Sequence, residues 1–132
     1  MSSIQPDGWP APRGYSNGMI GAGRVLAIAG QIGWTARGEF ASDDFVEQAA
    51  QALRNVLAVV RAAGGDASNV IRLTWYVTDK TEYLAAASEL GKVYRELFDR
   101  HYPAMTLVQV ATLLEDRAKV EIEATAVLQD LP

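Results

Sequence analysis

The carboxylates of the last predicted strand are the side chains best placed for acid–base chemistry. Residues 119–128 read KVEIEATAVL, and their alternation places Val120 and Ile122 on one side and Glu121 and Glu123 on the other. If the apolar row faces the core, both carboxylates lie on the open face of a sheet. Either this face is solvated, or subunits pack on it and bury one carboxylate, which could then transfer protons.

Other reactive groups lack the partners that catalysis would require. His101 is the only histidine and the chain has no cysteine, so we predict neither a metal site nor a bound cofactor. A serine–histidine–aspartate set would have to form around His101, which reads instead as a polar residue at a helix end. Residues 18–23, GMIGAG, lack the third glycine of a dinucleotide-binding loop and precede no helix, so they predict a turn.

Composition narrows the function classes. The 132 residues fit one domain, 1–132, and the net charge is −4 with the basic residues scattered singly. This pattern argues against a nucleic-acid partner, and no run approaches the roughly 18 apolar residues of a membrane span. The absence of cysteine suits a reducing compartment, so we expect a cytoplasmic protein.

Hydrophobic periodicity and turn residues predict the elements that position these groups. Residues 1–14 are rich in proline and glycine and predict an irregular lead-in. A helix is predicted from Asp44, with Glu47 as its capping partner, to Gly64, where glycine favours a left-handed cap. A second helix is predicted by the stripe from Leu84 to Phe98, and strands are predicted at 23–33, 69–79, 106–113 and 119–128. The predicted fold is α+β, with one sheet and two helices on one face.

Six ordered motifs resemble the RidA/YjgF family over nearly the whole chain. They are APRGYSNGM, IAGQIG, QALRNVLAVVRAAGG, VIRLTWYVTD, YPAMTLVQV and KVEIEATAV. The resemblance implies a chorismate-mutase-like fold, assembled as a homotrimer with clefts between subunits. Characterised members hydrolyse reactive enamines and imines to ketones and ammonia without a metal or cofactor, and some have carried ribonuclease or translation-inhibitor labels.

The resemblance also implies site residues. Tyr15 matches the tyrosine that lines the cleft, and Gly30 matches the strand glycine whose backbone approaches the ligand. Glu121 matches the glutamate that holds or activates the attacking water. We expect Gln31, beside Gly30, and Thr106, in the strand predicted at 106–113, to contact substrate as well.

Met105 departs from the family pattern. Imine-deaminase members have an arginine here, after Pro-Ala, that clamps the substrate carboxylate, and such a contact contributes about 2 to 3 kcal/mol. Methionine supplies only an adaptable apolar wall. Arg13 is either a substitute anchor or a solvent-exposed loop residue, and Gly91 stands where many members place an asparagine. The substitution predicts a larger or less anionic ligand than a small 2-imino acid.

Three functions remain open from the sequence. The first is a homotrimeric hydrolase of an enamine or imine metabolite, with Glu121 activating water and Tyr15 shaping the cleft. The second is a trimer that binds a small metabolite without chemistry, which the loss of the arginine motivates. The third, ribonuclease action, rests on family labels and is opposed by the acidic charge balance.

Overall fold

The strands and helices are defined for residues 1–129 by a computed structural model. Ten elements are present in this part of the chain, including a short 3-10 helix at Ala67–Asn69. The other elements are β1 (Ser2–Ile4), β2 (Gly18–Ile20), β3 (Arg24–Gln31), α1 (Phe45–Ala62), β4 (Val70–Val77), α2 (Lys80–Ala85), α3 (Ala87–Phe98), β5 (Ala104–Gln109) and β6 (Val120–Leu128).

The main sheet has the strand order β3-β6-β4-β5. Strand β6 lies inside the sheet and runs antiparallel to both neighbours, whereas β5 runs parallel to β4. Parallel neighbours need a long crossover, and α2 and α3 supply it. The predicted α+β class is therefore confirmed.

Apolar side chains collect on the sheet face that the helices cover. In β4, Leu73, Trp75 and Val77 are buried while Arg72, Thr74 and Tyr76 are not, as the alternation predicts. The same alternation holds in β6 as far as Ala126, with Val120, Ile122, Ala124 and Ala126 buried. It breaks at the end of the strand, where Val127 and Leu128 are both buried. Helix α1 packs against β3 and β6, and α3 packs beside α1. The opposite face, defined by the partly exposed residues of β4 and β6, is called the open face below.

Helix α1 forms where the local signals place it. The side chain of Asp44 accepts a hydrogen bond of 3.0 Å from the backbone N–H of Glu47, which satisfies one of the unpaired donors at the helix start. The helix ends just before Gly64, whose φ of 91° lies in the left-handed region that favours glycine. Both predicted boundaries are confirmed to within two residues.

The prediction of one continuous second helix is wrong, because the chain forms two helices in this region. Asp79 caps α2 by accepting a 2.9 Å hydrogen bond from Thr81, and Ala86 separates α2 from α3. Leu84, placed on the buried stripe by its spacing, is 66% exposed, and α2 has no buried residue. The stripe is correct only from Leu90 to Phe98.

The N-terminal predictions are also corrected. Residues 2–4 and 18–20 pair as the antiparallel strands β1 and β2, although the first was predicted as irregular and the second as part of a turn. Three-residue strands carry too little alternation to be detected, and their pairing is not local in sequence. The strand predicted at 106–113 instead begins at Ala104 and ends at Gln109.

A buried glutamine holds the loop that leads into β6. The amide of Gln48 donates to the carbonyl oxygens of Ser42 and Arg117, both at 3.1 Å, and accepts from the backbone N–H of Lys119 at 2.9 Å. These bonds satisfy backbone groups that would otherwise be unpaired at the core edge. They fix the start of β6, and with it the position of Glu121. No helix within residues 1–129 is both long and apolar enough to cross a membrane.

Candidate functional site

Glu121 and Gly30 meet on the open face, between β6 and β3. A Cβ atom on residue 30 would lie only 2.7 Å from Cδ of Glu121 and 2.9 Å from Cγ. The pairing of β3 with β6 is irregular between Ile28 and Gln31, as at a β-bulge, and this irregularity includes Gly30. The glycine therefore leaves space that the carboxylate of Glu121 occupies.

A tyrosine–glutamate pair stands beside Glu121. Tyr76 lies directly opposite Glu121 in the β4–β6 register, and its hydroxyl donates a 2.5 Å hydrogen bond to Oε1 of Glu123. This hydrogen bond raises the pKa of Tyr76 above its ordinary value. Sequence reasoning overlooked Tyr76, although the alternation of both strands already placed it on the face of the two carboxylates.

Two other predicted site residues, Thr106 and Gln31, differ in where their side chains lie. Thr106 is exposed on the open face, where it pairs with Thr74 of β4 and lines a shallow polar cavity with Glu123. The amide of Gln31 instead donates to the carbonyl oxygen of Ala29 at 3.1 Å, so this side chain folds back onto its own strand.

Arg13, Tyr15 and Met105 line a different cavity, of about 560 Å³, on the helix-covered side of the β4–β5 edge. Met105 reaches it because it pairs with the buried Leu73 across the two parallel strands. The segment that carries Tyr15 is fixed by its neighbour Ser16, whose N–H and hydroxyl donate to the carbonyl oxygens of residues 103 and 102, at 3.1 and 2.5 Å.

Aromatic side chains form much of the wall of this cavity. Trp75 and Tyr83 contact each other edge to face, with their ring centroids 5.9 Å apart. Tyr94 stacks on Tyr102 with a centroid distance of 5.8 Å and an interplanar angle of 16°. The hydroxyl of Tyr94 donates to the carbonyl oxygen of His101 at 3.2 Å, and burial raises the pKa of Tyr94 well above its ordinary value. Tyr94 lies within the stripe predicted from Leu84 to Phe98, and it contacts the core while also facing the cavity.

The predicted site residues thus fall into two clusters on opposite faces of one sheet. Glu121, Gly30 and Thr106 lie on the open face, whereas Arg13, Tyr15 and Met105 lie around the cavity on the other. Met105 and Thr106 are adjacent in sequence, and consecutive strand residues point to opposite faces. One chain therefore cannot bring both clusters to the same ligand.

His101 takes a structural position. Its Nε2 lies 2.6 Å from the carbonyl oxygen of Val70, which joins the end of α3 to the start of β4. It also borders a polar cavity of about 440 Å³ beside β1 and β2. Within residues 1–129, no three His, Cys, Asp or Glu side chains form a group that could hold a metal ion.

The fold and the cavity define a class: a small α+β protein with a ligand-sized cleft at the edge of a mixed sheet. Residues 9–128 match the family described as Endoribonuclease L-PSP. The RutC family protein y4sK of Sinorhizobium fredii is 38% identical over 125 residues, covering 94% of this chain and 95% of the relative. The 2-iminobutanoate/2-iminopropanoate deaminase of Capra hircus is 35% identical over 119 residues, covering 89% of this chain and 83% of the relative.

A solved structure gives the same result. The crystal structure of YyfB from Yersinia pestis, a member of the Rid protein family, superimposes with a TM-score of 0.82 at 32% identity. The match covers 96% of this chain and 98% of that one. The chain belongs to the Rid/YjgF family, as its motifs predict.

Proposed function

We propose that this protein hydrolyses an enamine or imine metabolite to a carbonyl compound and ammonia, without metal or cofactor, at clefts between the subunits of a homotrimer. Family membership supports the reaction class, since the relative from Capra hircus is named for imine deamination. The single observation that carries the proposal is the contact of the Glu121 carboxylate with Gly30, which only a residue without a side chain permits.

In the proposed reaction, Glu121 takes a proton from water as the oxygen adds to the imine carbon, forming a carbinolamine. Glu121 returns this proton to the nitrogen. It then takes the proton of the carbinolamine hydroxyl and passes it to the same nitrogen, so that the C–N bond breaks, ammonia leaves and the carbonyl double bond forms. Because the glutamate ends as it began, water is the only co-reactant. Backbone groups around Gly30 orient the ligand against the carboxylate.

The positions of the two clusters support the proposed assembly of subunits. Since Glu121 and Met105 lie on opposite faces of one chain, a shared cleft requires the open face of one subunit to pack near the cavity of the next. The half-exposed, partly polar open face suits such packing, because Tyr76 and Glu123 already satisfy each other there. Sedimentation at micromolar concentration is expected to give the mass of three chains, and a monomer would contradict the proposal.

The direct test of the reaction is ammonia release from freshly generated 2-imino acids. Glu121→Gln keeps the shape of the side chain but cannot accept the proton, so turnover is expected to fall about 10²- to 10⁴-fold. Glu123→Gln is the matched control, two residues along the same face, and should retain most of the activity. If Glu121→Gln turns over as fast as the native protein, the proposed role of Glu121 is wrong.

A trimer that binds a metabolite without chemistry is the second candidate, and Met105 in the place of the clamping arginine favours it. Calorimetric measurement of binding, combined with the ammonia assay, separates the two functions. A pure binding protein would bind an imine or its keto analogue without releasing ammonia. No observation favours ribonuclease action, since the net charge is −4 and the basic residues are scattered.

A further inference from the structure

We propose that the cavity beside Met105 binds the aromatic tail of an anionic ligand, with its carboxylate held at the mouth by Arg13 and Arg95. The inference rests on the proposed function, because it assigns this cavity as the side-chain subsite of the substrate. It narrows the expectation of a larger or less anionic ligand to a larger one of a specific class: aromatic carboxylates, here aromatic 2-imino acids and their 2-oxo products.

The size of the cavity fits such a tail. Its volume of about 560 Å³ lies within the usual range for sites that enclose small molecules. Gly91 contributes to that space, because a Cβ atom on this residue would meet no other atom within 4 Å. Glycine in a helix interior is less favourable than alanine by about 1 kcal/mol, so the stability of α3 gives no reason for it. A larger side chain at position 91 would occupy this open space.

The walls suit a flat ring. Trp75, Tyr83, Tyr94 and Tyr102 present aromatic surface, and rings gain from stacked or edge-to-face contacts beyond the area they bury. Met105 adds a flexible thioether that adapts to an aromatic edge. A ligand no larger than pyruvate would leave most of this apolar surface uncovered.

The charges suit a carboxylate at the mouth. Arg13 and Arg95 both border the cavity and are exposed. Neither guanidinium group has an ion-pair or hydrogen-bond partner among residues 1–129, and none of the described residues around the cavity is acidic. Two unpaired cations in a chain of net charge −4 make this mouth complementary to an anion. The anion site would therefore lie at the rim and not at position 105.

Trp75 provides a direct readout of occupancy. It is 3% exposed and lines the cavity, whereas the two other tryptophans, Trp9 and Trp34, do not. In a Trp9→Phe/Trp34→Phe background its fluorescence reports ligands that enter. The probes are phenylpyruvate, pyruvate and the uncharged ketone phenylacetone, added to the full-length protein in its native assembly.

Phenylpyruvate is expected to bind about 10- to 100-fold more tightly than pyruvate, because burying its ring removes apolar surface from water. Gly91→Leu, which fills the cavity, should remove most of this preference. Gly91→Ala should remove less of it, and both should keep the native circular dichroism spectrum. Ser88→Leu, on the exposed side of the same helix, is the matched control and should keep the preference. Equal binding of the two acids to the native protein, or a Gly91→Leu variant that retains the preference, would overturn the subsite.

The charge at the mouth is tested with Arg13→Gln/Arg95→Gln. This variant should lose about 10-fold or more in phenylpyruvate affinity and little in phenylacetone affinity, since only the acid uses the guanidinium groups. An equal loss for both probes would show that the arginines do not bind the carboxylate.

The same measurements separate this inference from the proposed function. Binding is followed in Glu121→Gln, where no turnover is needed. If phenylpyruvate binds as expected and the native protein releases no ammonia from any imine, the subsite stands and the deaminase proposal fails. If ammonia is released but phenylpyruvate binds no better than pyruvate, the deaminase stands and the subsite fails.

Discussion

The carboxylate of Glu121 lies against Gly30 across the β3–β6 pair, so closely that a Cβ atom on residue 30 would stand 2.7 Å from Cδ of the glutamate. The position of the one acid that we propose for water activation therefore depends on a glycine in the neighbouring strand. The irregular pairing between Ile28 and Gln31, which includes Gly30, and the loop held by Gln48 set the two strands in this relation.

Gly30→Ala should reduce ammonia release about 100-fold or more, because the new methyl group forces Glu121 away from its position and misplacement of a catalytic group by about 1 Å is that damaging. Steady-state kinetics with imines tests this. Gly18→Ala is the matched control, since its Cβ would only make an ordinary 3.6 Å contact with Ile4. If Gly30→Ala retains full activity, the contact between residues 30 and 121 has no catalytic role.

Mixed assemblies test whether each cleft uses two chains. Glu121→Gln lacks the acid and Tyr15→Ala lacks part of the cavity wall, so each variant alone should be weakly active. When the two are unfolded together and refolded, some clefts should combine an intact cavity with an intact Glu121, and ammonia release should exceed the mean of the separate variants. A mixture that shows only this mean would place both residues in one subunit's site.

Met105→Arg should improve the use of small 2-imino acids. A guanidinium at position 105 would restore the charge-assisted contact with the carboxylate, which predicts roughly 30- to 150-fold tighter binding of 2-iminopropanoate, seen as a lower KM. Met105→Gln, polar but uncharged, is the control and should show no such gain. If the native protein already processes this imine fast and the arginine changes nothing, Met105 serves only in packing.

Tyr94→Phe should reduce the fall in the free energy of unfolding at alkaline pH. Burial holds the folded-state pKa of Tyr94 well above the ordinary 10.0, so below about pH 10 the phenol is protonated in both states. As the pH rises further, the unfolded phenol ionises first, and the free energy of unfolding falls. Between about pH 8 and about pH 11, urea unfolding should show a loss roughly 1 kcal/mol larger for the native protein than for Tyr94→Phe. Equal losses would mean that this phenol ionises alike in both states.

Local signals explain which elements could be predicted. Helix α1 was predicted correctly because its cap at Asp44, its stripe and its stop at Gly64 are all encoded within a few residues. The break at Ala86 and the short pairing of β1 with β2 were missed. Three-residue strands and a one-residue interruption leave almost no periodicity to detect, and tertiary contacts decide them.

The sequence by itself determined the family and the main elements. It also determined the face on which Glu121 lies, because strand alternation fixes the side of each residue without knowledge of its neighbours. Its resemblance to the family also implies that Met105 stands where imine-deaminase members have an arginine. Only the tertiary structure revealed that Arg13, Tyr15 and Met105 share a cavity with Gly91 and Arg95, on the face opposite Glu121. Periodicity assigns a side chain to a face, but which distant segments meet depends on strand order and loop closure, and no local pattern encodes these.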